Sequence, residues 1–177
     1  MRSRESLIIL GGLAIGVGIG FAVILGLEYY NNTNNINPVI DSPAPDFLLH
    51  NLVGDEVRLS QYRGSPVLIN FWATWCQPCQ IEMSYIQNRF DQYKPDMVVL
   101  AVNYDEPLSS VQEFIEEQHL TFDVLLDNGG RIQELYQIRG YPTTYFVDSE
   151  GIIRVIHIGF MTEDQLDGYL MKVGVGG

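Results

Sequence analysis

Two cysteines are present in the 177 residues, Cys76 and Cys79, and they stand together as Cys76-Gln77-Pro78-Cys79. A thiol pair at this spacing supports three kinds of chemistry: reversible disulfide formation, metal binding, or a fixed cross-link. A structural zinc site asks for about four ligands. No second cysteine pair exists, and His50, His119 and His157 are scattered along the chain. A fixed cross-link stabilises mainly by closing a long loop, and this loop is minimal. The spacing therefore points to thiol–disulfide exchange.

The flanking elements must present that pair. Val67 to Ala73 is apolar throughout except for Asn70, as in a strand covered on both faces. After a short corner a helical segment opens at Cys76, with Met83, Ile86, Phe90 and Tyr93 spaced along one face. A helix N-terminus offers unpaired N–H groups and the positive end of the macrodipole, so a thiolate at Cys76 is favoured. Thiols so placed fall from a free pKa of roughly 8.5 into the range of about 3.5–7.5. Pro78 falls in the first helical turn, where a missing N–H costs little. Cys79 lies one turn along and can close the ring. This order makes Cys76 the exposed nucleophile and Cys79 the resolving thiol. Glu82, at i+3 from Cys79, shares its helical face. It is either a proton acceptor for Cys79 or a solvated carboxylate favoured by the dipole. Trp72 and Trp75 either shield the pair and offer contact surface or simply belong to the core.

The remaining elements follow from periodicity and turn chemistry. Phe47 to Leu59 alternates around Gly54-Asp55 and predicts a hairpin, and residues 60–66 form a connector. Met97 to Val102 is a second apolar strand. Asp105-Glu106-Pro107 opens a helix with Val111, Phe114 and Ile115 inside. Phe122 to Leu126 reads as a short strand, and Arg131 to Gln137 as a short helix. Thr144 to Val147 and Ile152 to Ile158 form a hairpin, in which His157 is a satisfied core or edge residue. Thr162 with Gln165 is a capping box for the last helix.

FWATWCQPC followed by Glu82, with Gly140-Tyr141-Pro142-Thr143-Thr144 later, resembles the thioredoxin superfamily. More narrowly it is similar to the membrane-anchored TlpA/ResA-like thiol-disulfide oxidoreductases, over about Pro43 to Val173. The resemblance implies a thioredoxin-like α/β fold, a central mixed sheet flanked by helices. It also implies an N-terminal β-hairpin and a central strand-helix insertion, behind one transmembrane helix. It implies a cis peptide before Pro142, set against the cysteines, so that Trp75, Pro78, Tyr141, Pro142 and Thr143 bind substrate. An extended substrate would pair there with the backbone of Tyr141. Thioredoxins proper carry a buried Asp where this chain has Asn70, and Asn cannot take up a proton. Family members similar to this chain place a Glu at the position of Glu82, which implies a part in the proton transfer of Cys79. The implied activity is reduction of protein disulfides, for instance the haem-binding cysteines of apocytochrome c. A membrane thiol–disulfide electron donor would recharge the pair, which needs no other cofactor and no metal. Gln80 follows Cys79, so the haem signature C-x-x-C-H is absent and the chain is not itself a cytochrome.

Leu7 to Leu27 holds no charge and is long enough to cross a hydrocarbon core of about 30 Å. Arg2 and Arg4 precede it and no Lys or Arg follows until Arg58, which keeps the N-terminus cytoplasmic and exports the rest. The expected organisation is a cytoplasmic stub at 1–6, an uncleaved signal anchor at 7–27, a flexible tether at 28–45, and a catalytic domain at 46–177. The tether reading rests on five asparagines and three prolines between Glu28 and Pro45. Gly12, Gly16 and Gly20 form a small-residue ladder on which two such helices could pack. Ten Lys and Arg against 22 Asp and Glu argue against a nucleic-acid partner. Two other functions compete. A peroxidase of the peroxiredoxin kind places Thr or Ser where this chain has Ala73. A copper-delivery protein of the superfamily uses C-x-x-x-C with a distal histidine, for which His157 or His119 would have to serve.

Overall fold

The computed structural model describes residues 38–176. Seven strands form one sheet: β1 (Leu48–Asn51), β2 (Glu56–Arg58), β3 (Val67–Trp72), β4 (Val98–Tyr104), β5 (Asp123–Asp127), β6 (Thr143–Val147) and β7 (Ile153–Ile158). Their order across the sheet is β2-β1-β5-β4-β3-β6-β7. β3, β4 and β5 are parallel, while the β1–β2 and β6–β7 hairpins add antiparallel pairs on either side. Four helices complete the fold: α1 (Gln77–Tyr93), α2 (Leu108–Gln118), α3 (Arg131–Leu135) and α4 (Glu163–Lys172). This is the mixed, helix-flanked sheet of the thioredoxin-like class.

All six residues of β3 are buried, because helices cover both faces of the central strand. Alternation along β3 sends Leu68, Asn70 and Trp72 to one face and Val67, Ile69 and Phe71 to the other. On the first face Leu68 and Trp72 pack with Met83 and Ile86 of α1, Val111 and Phe114 of α2, and Leu166 and Leu170 of α4. On the second, Ile69 and Phe71 pack with Ile132, Tyr136 and Phe47. Tyr136 is wholly buried there and donates its hydroxyl to the Pro45 carbonyl at 2.6 Å. Asn70 is the polar residue that β3 points at α1.

Among the described residues the expected elements form, several with shifted bounds, β4 running on to Tyr104 and α3 stopping at Leu135, and two further differences stand out. The connector after the first hairpin contains a 3-10 turn at Leu59–Tyr62. The flexible tether was expected to reach Pro45, yet the chain is already docked by Asp41. Asp41 N–H donates to Ile153 C=O, Ile153 N–H to Ser42 C=O, and Ala44 N–H to Gly151 C=O. Arg154 adds an ion pair to Asp41 at 2.8 Å. The prolines at 43 and 45 that read as spacer instead suit an edge segment, which needs few donors. Among the described residues no helix is long and apolar enough to cross a membrane. The expected anchor at 7–27 and its glycine ladder lie outside them.

Candidate active site

Cys76 is the N-cap of α1, and Cys79 lies in its first turn. Their sulfurs are joined in a disulfide with Cα atoms 5.3 Å apart. The N–H of Cys79 points at Cys76 Sγ at 3.3 Å, the placement that stabilises a thiolate on that sulfur when the pair is reduced. Cys76 keeps 6 % exposure and Cys79 1 %. Limiting alkylation of the reduced protein is therefore expected to modify Cys76 first, and peptide mapping that found Cys79 labelled ahead of it would reverse the assignment.

The loop leading into the pair is held from outside. Thr74 gives its N–H and its hydroxyl to the Glu106 carboxylate, at 2.7 and 2.5 Å. Its carbonyl accepts from Gln80 Nε2 at 2.8 Å. Asn103 donates to the same carboxylate at 2.7 Å. The two tryptophans divide. Trp72 is wholly buried, its ring 5.0 Å from Phe114, while Trp75 is 65 % exposed. The core alternative holds for Trp72 and fails for Trp75.

Trp75, Cys76, Gln77 and Pro78 form one wall of a groove of about 640 Å³, with Tyr104, Ile138, Arg139, Gly140 and Tyr141 opposite. Tyr141 meets Trp75 edge-on at 5.7 Å and lies 6.0 Å from Tyr104. Its hydroxyl donates to Gln133 Oε1, and burial pushes its pKa up to about 12, so it stays a donor. Tyr104 in turn covers Gly130, where a Cβ would come within 2.7 Å of the ring. The groove is thus walled by aromatic rings that their neighbours fix in place.

The Tyr141–Pro142 peptide is cis. Pro142 is buried and its carbonyl accepts from Gly159 N–H at 2.8 Å. Thr143 does not reach the groove. It is buried and its hydroxyl donates to the Gly140 carbonyl at 2.8 Å, so it shapes the loop from within. Of the five residues expected to meet substrate, Trp75, Pro78 and Tyr141 line the groove, with Pro142 and Thr143 behind it. Tyr104, Ile138 and Arg139 were not anticipated. Only their position beside the groove marks them, and no local motif does.

Glu82 is 1 % exposed, which rules out a solvated surface residue. Its Oε1 accepts from Asn70 Nδ2 at 2.9 Å and from the Thr144 hydroxyl at 3.3 Å. Its Oε2 accepts from Met161 N–H at 2.8 Å. Burial drives its pKa up to about 7, and these three hydrogen bonds, Met161 first, hold it from rising further. Asn70 Oδ1 is buried without a hydrogen-bond partner. An amide can turn over, so Asn70 can donate to an ionised Glu82 and accept from a protonated one. Thr144 can do the same with its hydroxyl, and it also accepts from Asn70 at 2.9 Å. The missed residue here is Thr144. It was visible as the second threonine after Pro142, and strand alternation puts its side chain opposite that of Thr143.

His157 is held by Tyr169 and the Phe160 carbonyl, and His119 caps the C-terminus of α2. Among the described residues no three His, Cys, Asp or Glu side chains gather so as to hold a metal ion.

A model of the AhpC/TSA family matches residues 40–156, more than half of the chain. The chain belongs to that family. Within it, the thiol-disulfide oxidoreductase ResA of Geobacillus kaustophilus is 39 % identical over 152 residues, covering 84 % of this chain and 87 % of its own length. Among solved structures, StoA of Bacillus subtilis aligns with a TM-score of 0.62 at 28 % identity, over 73 % of this chain and 98 % of StoA. The exposed lipoprotein thioredoxin of Streptococcus pneumoniae aligns with a TM-score of 0.61 at 32 % identity, over 72 % of this chain and 98 % of its own. With the Cys76–Cys79 disulfide at the head of α1, the protein is a thiol-disulfide oxidoreductase of the ResA-like group.

Proposed function

We propose that the protein reduces protein disulfides outside the cytoplasm while tethered to the cell membrane, and that Glu82 handles the proton of the resolving cysteine. Cys76 thiolate attacks a substrate disulfide, and the first substrate thiol leaves. Cys79 gives its proton to Glu82 and attacks Cys76 Sγ, and the second substrate thiol departs. Two electrons pass to the substrate and the Cys76–Cys79 disulfide remains. A base poised near the working pH suits this step.

The buried Glu82 carboxylate, one helical turn beyond Cys79, is the observation that supports a reductant. A nearby negative charge raises thiol pKa values and disfavours the thiolate. Strong oxidants of this kind work the other way, by stabilising the reduced form. The potential is therefore expected near thioredoxin's, about −270 mV, and far from the about −120 mV of a strong oxidant. Equilibration with glutathione or dithiothreitol checks it, and a value close to −120 mV would mean the protein oxidises its partners.

The groove fits an extended peptide carrying apolar residues beside its cysteine. Apocytochrome c is the substrate and a membrane thiol–disulfide transporter the electron donor in this reading. Arg2 and Arg4 before the apolar run support an outward-facing domain. The pneumococcal relative is an exposed lipoprotein. This chain has no cysteine near the end of its apolar run, so the run itself would be the anchor. Protease added to spheroplasts should then remove the domain, and a soluble form starting near Glu28 would argue for cleavage instead.

A further inference from the structure

The backbone hydrogen bond that Glu82 receives comes from a peptide unit gripped at both ends. Its N–H belongs to Met161 and meets Glu82 Oε2 at 2.8 Å. Its carbonyl belongs to Phe160 and lies 3.1 Å from His157 Nε2. A carbonyl only accepts, so Nε2 carries a proton. In the neutral ring Nδ1 then accepts from the Tyr169 hydroxyl, 3.3 Å away. Tyr169 is fixed in turn, its ring 5.5 Å from His157 and 5.3 Å from Phe146. Residues 160–161 belong to no strand or helix. Gly159, at φ +95°, turns the chain just before them. The peptide thus has no ladder of its own to fix its plane. The sheet register sets His157 opposite Thr144, and Thr144 opposite Asn70. Directly opposed residues share a face, so the partners of Glu82 and the clamp on its third donor form one row beneath α1.

We propose that His157 is a positioning residue for Glu82: it clamps the Phe160–Met161 peptide and aims the Met161 N–H at the carboxylate, with Tyr169 fixing the imidazole tautomer behind it. A peptide freed of this clamp donates less well, and the charged form of Glu82 loses its strongest hydrogen-bond support. Other titratable groups surround the turn. Tyr85 of α1 meets the Phe160 ring at 6.2 Å, and Glu163 and Asp164 of α4 share a shallow cleft with it. Arg89 pairs with Glu163 and Asp167, and Lys172 lies over the Tyr169 ring. Among the described residues, the hydrogen bonds to the Glu82 carboxylate come from Asn70, Thr144 and Met161. The functional consequence rests on the reading of Glu82 as proton acceptor, but the positioning itself does not.

The test is an NMR titration of the oxidised full-length chain, isotope-labelled at glutamate carboxyl carbons, with the Glu82 signal assigned by its loss in Glu82→Gln. In His157→Phe the Glu82 midpoint should move upward by about half to one pH unit. His157→Gln retains a side-chain N–H for the Phe160 carbonyl and should bring the midpoint back toward wild type. Tyr169→Phe should raise it by less, and serves if His157→Phe fails to fold. A midpoint unmoved in a folded His157→Phe, or moved equally by Phe and Gln, overturns the proposal. A raised midpoint followed by the pH profile of Cys79 reactivity supports both the clamp and the role given to Glu82. A raised midpoint with that profile unchanged leaves the clamp standing and removes Glu82 from the proton transfer.

Discussion

Glu82→Gln is expected to slow resolution of the Cys76 mixed disulfide by about 10²-fold or more, the scale of a lost general base. The same change should make the folded protein more stable in alkali. The carboxyl has an ordinary pKa of 4.5 in the unfolded chain and about 7 in the folded one. Between those values the native state binds more protons, so wild-type stability falls as pH rises through the window and levels off above it. The gap corresponds to about 3 kcal/mol by the usual conversion. Glutamine carries no such penalty, and Asn70 can turn its free Oδ1 toward the new amide. Denaturant unfolding of the oxidised proteins should therefore show near equality at pH 4 and an advantage of about 3 kcal/mol for Glu82→Gln at pH 8. Parallel curves for the two proteins across this range, together with unchanged resolution rates, would reduce the carboxylate to a structural residue.

Cys79→Ala should stop turnover while sparing the first chemical step. Cys76, with 6 % exposure, would still stand at the head of α1, with the amide of residue 79 beside its sulfur. A peptide disulfide should then form a stable mixed disulfide with Cys76, because no second thiol exists in the chain to displace it. Mass spectrometry of the reaction mixture should show one peptide bound per chain, released by dithiothreitol. Cys76→Ala should form no such adduct. Adduct formation at Cys79 in Cys76→Ala, at a rate matching that of Cys76 in its partner variant, would mean that neither sulfur is specialised.

Much of this molecule is legible in short stretches. The apolar run from Val67, the cysteine spacing, the Gly54-Asp55 turn and the Thr162–Gln165 capping box each depend on neighbours a few residues away. β3, the β1–β2 hairpin and α4 all form where those signals stand. The tether was misjudged at its end for the opposite reason. Nothing local in Asp41 to Ala44 announces a docking site, and their partners Gly151 and Ile153 are distant in the sequence. Both Thr143 and Thr144 follow Pro142 in the motif, and only Thr143 was named as a site residue. Which of two adjacent strand residues faces the active-site helix depends on sheet register, which a single strand does not reveal.

By itself the sequence determined the chemistry: two sulfurs at a helix start, and a carboxylate on the same helical face. Those are consequences of spacing along one element, so they survive without knowledge of what that element touches. Whether the carboxylate would be a surface charge or a buried group was decided only by tertiary structure. Glu82 is enclosed by Asn70 on β3, Thr144 on β6 and the Met161 amide after β7, separated from it by 12, 62 and 79 positions. Desolvation and hydrogen bonding act through space, and together they place its pKa near 7. Helical spacing names the face on which a side chain lies; the packing against that face sets its proton affinity.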